Sequence, residues 1–191
     1  MLKYMLHHFQ SLNKLQQLFW VIFLWIWYFA SSYFLENSYE ASKFPVSYFE
    51  QQTSFDAIMM KQWYSVMIQE WTFQTYIQTQ FIDFVFIFFV ILFWYTLWYF
   101  VNSFHNPKWF IYKIWSKLTW SLPIAGFFDI LENLVSFFMI YNPENFNHFL
   151  VIPYSTFAVI KFWFWTLWLW WLVFSIIILF AIQFRNLVIK K

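Results

Sequence analysis

With 191 residues, 62% of them hydrophobic and 10% charged, and a mean hydropathy of +0.54, the chain is too apolar for a soluble globular domain and reads as an integral membrane protein. It has no cysteine, which excludes disulfide frameworks, thiol nucleophiles and thiolate metal sites. The net charge of +2 is scattered along the chain, with no basic patch that would point to nucleic acid.

Residues 1–17 form a polar, weakly basic tail with Lys3, His7, His8 and Lys14. Neighbouring histidines on a helix point about 100° apart and no third ligand is near, so His7 and His8 read as solvated residues rather than metal ligands. Residues 18–35 give 18 positions without a charge, the length of a first spanning helix, read as a retained anchor rather than a cleaved signal. Residues 36–52 contain Pro45 and several serines and read as extended loop. Thr53, with Asp56 three residues on, makes a capping box, and Met59, Met60, Trp63, Met67 and Trp71 recur at helical spacing. The expectation is an amphipathic extracytoplasmic helix over 54–70 that lies along the membrane surface or folds over the helix ends, with a lid packed on the bundle favoured over a partner-binding groove.

The second span is expected over 81–101, with Asp83 just inside its start; His105, Asn106 and Pro107 then break the helix ahead of Lys108, Lys113 and Lys117. The third, over 118–141, is the one around which the chain is organised. Pro123 marks either its true start or a kink. On a helix, Leu122, Ala125, Gly126, Asp129, Glu132, Asn133 and Ser136 fall within an arc of roughly 120°, a single face. A carboxylate at the centre of a membrane helix costs about 2.5–3.5 kcal/mol on insertion, so this face must meet protein or water. The turn Asn142-Pro143-Glu144-Asn145 closes the helix. A fourth span is expected over 155–184, carrying Lys161 and then Trp163, Trp165, Trp168, Trp170 and Trp171, which read as packing between helices rather than as a cofactor box.

The fold class is therefore all-α: a four-transmembrane-helix bundle forming a single membrane domain over 1–191. Lysine and arginine gather in the first tail, the second connection and the last tail, whereas acids dominate the first and third connections, which puts both termini on the cytoplasmic or matrix side. The membrane is a bacterial or mitochondrial inner membrane; 15 tryptophans against one glycine fit a genetic code that reads a stop codon as tryptophan, as many mitochondria do. Glu132 and Lys161 then come to similar depth, and a cluster of Asp83, Asp129, Glu132, Asn133 and Lys161 can form. Three acids against one base leave negative charge in excess, so either a carboxyl carries a proton or a cationic ligand completes the site. Gly126, Ala125, Ser136 and Ser155 are expected to let the helices approach closely.

On these residues the chain resembles an uncharacterised family of small four-span membrane proteins whose third helix carries Pro, two residues, Ala-Gly, two residues and then Asp-x-x-Glu-Asn, here Pro123, Ala125-Gly126 after one residue rather than two, Asp129 and Glu132-Asn133. The family's aspartate at the start of the second helix is matched by Asp83. Its Ser, Thr, Lys series on the fourth is matched by Ser155 and Lys161, with Ala158 in place of the hydroxyl residue and Trp163 following. The resemblance covers about residues 79–164 and implies the four-helix fold and the shared polar cluster, without bringing an activity.

No catalytic residue is assigned. The histidines lie in tails or loops away from Ser121 and Ser136, so no nucleophile meets a base, and no spaced His pair offers a metal site. No metal or cofactor is expected. The first functional expectation is a non-catalytic component of a membrane assembly, a respiratory one among the candidates, in which the cluster holds helices together. Its partners would be the lipid bilayer and other membrane-protein subunits. The alternatives are a protein that binds or transports an ion, proton or small ligand through the same cluster, and an intramembrane lipid-modifying enzyme with Asp129 or Glu132 as acid or base.

Overall fold

The computed structural model describes residue 9 and residues 11–104, 114, 117, 118 and 120–189, and among these there is no strand. The helices are α1 (Lys14–Ala41), α2 (Tyr48–Thr53), α3 (Ala57–Gln69), α4 (Phe73–Asn102), α5 (Ser121–Tyr141) and α6 (Val151–Ile189), the last preceded by a 3₁₀ turn at His148–Leu150. Four of them, α1, α4, α5 and α6, are long and apolar enough to cross a membrane. His7 and His8, and the basic residues Lys3, Lys108, Lys113, Lys190 and Lys191, lie outside the described residues.

Local chemistry sets the helix ends. Asn13 caps α1 through a capping box with Gln16, each side chain taking the other's backbone N–H. Pro123 and Pro153 both fall in the first turn of their helices, where backbone N–H groups have no intrahelical acceptor to lose. Pro123 thus marks a helix start and not a kink. The capping box expected from Thr53 and Asp56 is not formed. Thr53 ends α2, its hydroxyl donating to the Phe49 carbonyl at 2.8 Å, and Asp56 alone caps α3 by accepting from the N–H groups of Ile58 and Met59 at 2.8 and 3.0 Å.

Residues 36–52, expected to be extended, are largely helical, because α1 runs on to Ala41 and α2 follows. Their polar side chains find partners inside the protein instead of in water. The hydroxyls of Ser38 and Thr79 meet at 2.7 Å between α1 and α4, and Tyr39 donates to the Val46 carbonyl at 2.8 Å. For the same reason α4 begins at Phe73 rather than at residue 81. With its one glycine on a helix face, the chain turns through non-glycine residues in the left-handed region, at Lys43 (φ 53°), Phe55 (φ 53°) and Trp71 (φ 61°).

Packing is sequential: α1 lies along α4, α4 against α5, and α5 along α6, whereas α1 and α6 make at most marginal contact with each other. Two apolar cores result, one at each end of the bundle. At one end Met60, Trp63, Tyr64 and Met67 of α3 pack on Tyr76 of α4, Met139 of α5 and Tyr154 of α6. The amphipathic helix is therefore a lid over three helix ends, and each fully buried methionine adds about 1.5–3 kcal/mol. Its buried face differs from the expected one: Tyr64 is buried, whereas Met59 and Trp71 are 41% and 91% exposed. At the other end Trp98, Leu122, Trp168 and Leu172 form a second core. Of the five clustered tryptophans Trp168 is fully buried, whereas Trp163 and Trp170 point outward. Between the two cores lies a layer of buried polar side chains.

Candidate functional site

The polar layer is supplied by three helices at matching register. Along α5, Leu122, Ala125, Gly126, Asp129, Glu132, Asn133 and Ser136 are all buried, so the face read from the sequence is the face turned inward. Lys161 reaches across from α6. Its Nζ donates to Asp129 Oδ1 at 2.7 Å and lies 2.6 Å from Glu132 Oε2, with all three side chains nearly or fully buried. The Glu132 contact is an ion pair without hydrogen-bond geometry, and Glu132 Oε1 has no hydrogen-bond partner among the described residues. From α4, Asp83 accepts a hydrogen bond from Asn133 Nδ2 at 2.6 Å, and one turn earlier Gln80 Oε1 accepts from the Ser136 hydroxyl at 2.8 Å. Asp83, Asp129, Glu132, Asn133 and Lys161 are thus brought into one cluster that ties α4, α5 and α6 together.

The four small residues have distinct surroundings. A Cβ added to Gly126 would lie 2.2 Å from Ile91 Cδ1 and 2.9 Å from Ile91 Cγ1, so this glycine makes room for the Ile91 side chain of α4 against α5. Ala125 is completely buried on the same helix, and Ser136 makes the bond to Gln80. Ser155 does not join two long helices: its hydroxyl accepts from the Phe55 N–H at 3.3 Å and so tethers the turn before the lid.

Several residues at the site carried no signal in the sequence, because they sit in a stretch that reads as loop. Gln51 of α2 donates through Nε2 to the hydroxyls of Tyr76 and Tyr154, the latter at 3.2 Å. Gln52, 1% exposed, keeps a carbonyl oxygen without a partner among the described residues. Tyr48 brings a buried hydroxyl toward the carboxylates. Burial first, and then the charges of Asp83, Glu132 and Asp129, push this phenol well above its ordinary pKa, so that it stays a neutral O–H group. The one available clue was spacing: Gln80 and Asp83 are three residues apart, hence on one face of α4.

The cluster is not sealed. Asp83, Asp129 and Lys161 line a cleft of about 480 Å³, within the range of small-molecule sites. One wall comes from α1, with Tyr28, Ser32, Glu36 and Glu40; the opposite wall is Phe162 and Trp165 of α6. Tyr48 and Gln52 line it from α2, which leans on α6 through the rings of Phe49 and Phe162, 5.1 Å apart. The cleft exists because α1 and α6 do not close on each other. Among the described residues no group of three His, Asp or Glu side chains is placed to hold a metal ion.

The class defined by this fold and site is an all-helical chain with four helices suited to crossing a membrane and a buried Lys-Asp-Glu ion cluster at their centre. No family model, curated protein or solved structure matches it.

Proposed function

We propose that this is a multi-pass protein of a bacterial or mitochondrial inner membrane, both termini on the cytoplasmic or matrix side, that binds a small ligand without chemical conversion. In this reading the cluster has two parts. Lys161 with Asp129 and Glu132 is a strut between α5 and α6, and Asp83 with its neighbours is a binding surface. The observation that carries it is the cleft: a purely structural ion cluster gains nothing from open space beside it, yet Asp83, Asp129 and Lys161 all border that space. This puts ligand binding ahead of a subunit role in an assembly. The reading includes kinship with the four-span family, because the residues shared with it, Asp83, Asp129, Glu132, Asn133 and Lys161, are the ones that meet at the site.

The test fills the cleft. Ser32→Trp projects an indole into it from α1, a helix outside the strut. We expect mass spectrometry of the protein purified in mild detergent to find a small molecule or lipid retained by the native chain and lost from Ser32→Trp, with the thermal midpoint unchanged. Identical bound species in both proteins would sink the reading.

A further inference from the structure

We infer that the ligand is an amphiphilic amine: a protonated head bearing N–H groups, held at Asp83, with an apolar chain that enters from the lipid between α1 and α6. This rests on the ligand-site reading above and adds the chemical class.

The charge balance of the cleft selects a cation. Among the described residues the single positive group lining it is Lys161, and that charge is already engaged by Asp129 and Glu132, at 2.7 and 2.6 Å. Asp83 faces the same space and has no cation in salt-bridge contact among the described residues; it accepts a hydrogen bond from the neutral amide of Asn133. Glu36 and Glu40 add negative charge where α1 borders the cleft. An anionic head would meet uncompensated carboxylates, whereas a cation completes the ion balance.

The unpartnered polar atoms select N–H donors. Gln52 is 1% exposed and is among the residues lining the cleft, and its side-chain carbonyl oxygen, itself buried, accepts from no donor among the described residues. A buried acceptor left without a donor is costly, so a head that donates to both Asp83 and Gln52 is favoured over a quaternary ammonium, which has no N–H to give. The tail is selected by the walls. Beyond Asp83 along α4 the lining turns to Phe86 and Val90, faced by Tyr28 and Trp165, and their rings also favour a cation passing between them. The gap between α1 and α6 gives a hydrocarbon chain its way in.

A chain without cysteine allows a clean test. The full-length protein carrying Ser32→Cys, in nanodiscs of phosphatidylcholine, is treated with methyl methanethiosulfonate, a small neutral thiol reagent, in the presence of dodecylamine, dodecyltrimethylammonium or dodecanoate. Dodecylamine is expected to slow the modification, dodecyltrimethylammonium to do so only at higher concentration, and dodecanoate to have no effect. Adding Asp83→Asn or Gln52→Leu should raise the half-protecting dodecylamine concentration by about tenfold, the loss of one charge-assisted hydrogen bond. If Asp83→Asn does not fold, as judged by its thermal midpoint, Gln52→Leu carries the comparison. Equal protection by dodecanoate would overturn the amine while leaving a ligand site standing. No protection by any of the three would remove both.

Discussion

Lys161 carries its charge into a helix that is otherwise apolar for nearly its whole length, and two carboxylates of α5 close on it from one side. The desolvation of three ions in this layer is tolerable only while the set is complete, since removing one partner of a buried pair strands the others. Lys161→Met is therefore expected to cost about 3–5 kcal/mol, read as loss of the folded fraction in a detergent unfolding titration. Adding Glu132→Gln should return part of that loss, because a neutral amide no longer needs the ammonium 2.6 Å away. Strictly additive losses would show that the two side chains do not act on each other. At this scale Asp129, Glu132, Asn133 and Lys161 were legible because a charged or amide side chain stands out in an apolar run. Tyr48, Gln51 and Gln52 were not, because polar residues in a polar stretch carry no such contrast. Their role depends on a chain reversal that no local spacing encodes.

At the scale of elements, the helix periodicity of α5 was enough to define its inward face, and the lone glycine lies on it. The Ile91 side chain occupies the space a Cβ would take at Gly126, so a bulky side chain there pries α4 from α5. Gly126→Leu is expected to destabilise by about 1–3 kcal/mol, and Ile91→Ala to recover part of it by vacating that space. A Gly126→Leu protein as stable as the native chain would mean that the two helices do not meet as closely as described. The ends of the elements were harder to read than their faces. Thr79 and Gln80 look like the end of a loop, yet each is buried in α4 and bonded to a neighbouring helix, Thr79 to Ser38 and Gln80 to Ser136. Polarity ended a helix on paper where a lateral hydrogen bond continues it in space. The lid was legible as an amphipathic helix, but not which of its residues face inward, since the turn at Trp71 rotates that side chain away.

For the molecule as a whole, the two ends of the bundle differ in charge as well as in form. The lid end carries Glu36, Glu40, Glu50, Asp56 and Glu70 against Lys43 and Lys61, and Lys43 is paired with Glu70 at 3.0 Å. The far end carries Lys14, Lys117 and Arg185 among the described residues. Positive residues near spanning helices are retained on the cytoplasmic or matrix side, which would leave the lid on the opposite face. The length of α6 allows the same separation: 39 residues at about 1.5 Å each reach about 58 Å, well past a hydrocarbon core of about 30 Å, so in a bilayer a helix that starts beneath the lid would end beyond the other surface. Trp71 at the lid and Arg185 near the end of α6 should then lie on opposite sides of the membrane. A membrane-impermeant maleimide applied to intact cells or organelles stripped to their inner membrane is expected to label Trp71→Cys at once, and Arg185→Cys only after permeabilisation. The chain's lack of cysteine makes each label a report from one position. The reverse pattern would invert the bundle and move the site to the cytoplasmic or matrix half, leaving its internal geometry intact. Labelling of both positions from the same side would mean that α6 does not cross the membrane from the lid, and the sequential packing of α4, α5 and α6 could not form within a bilayer.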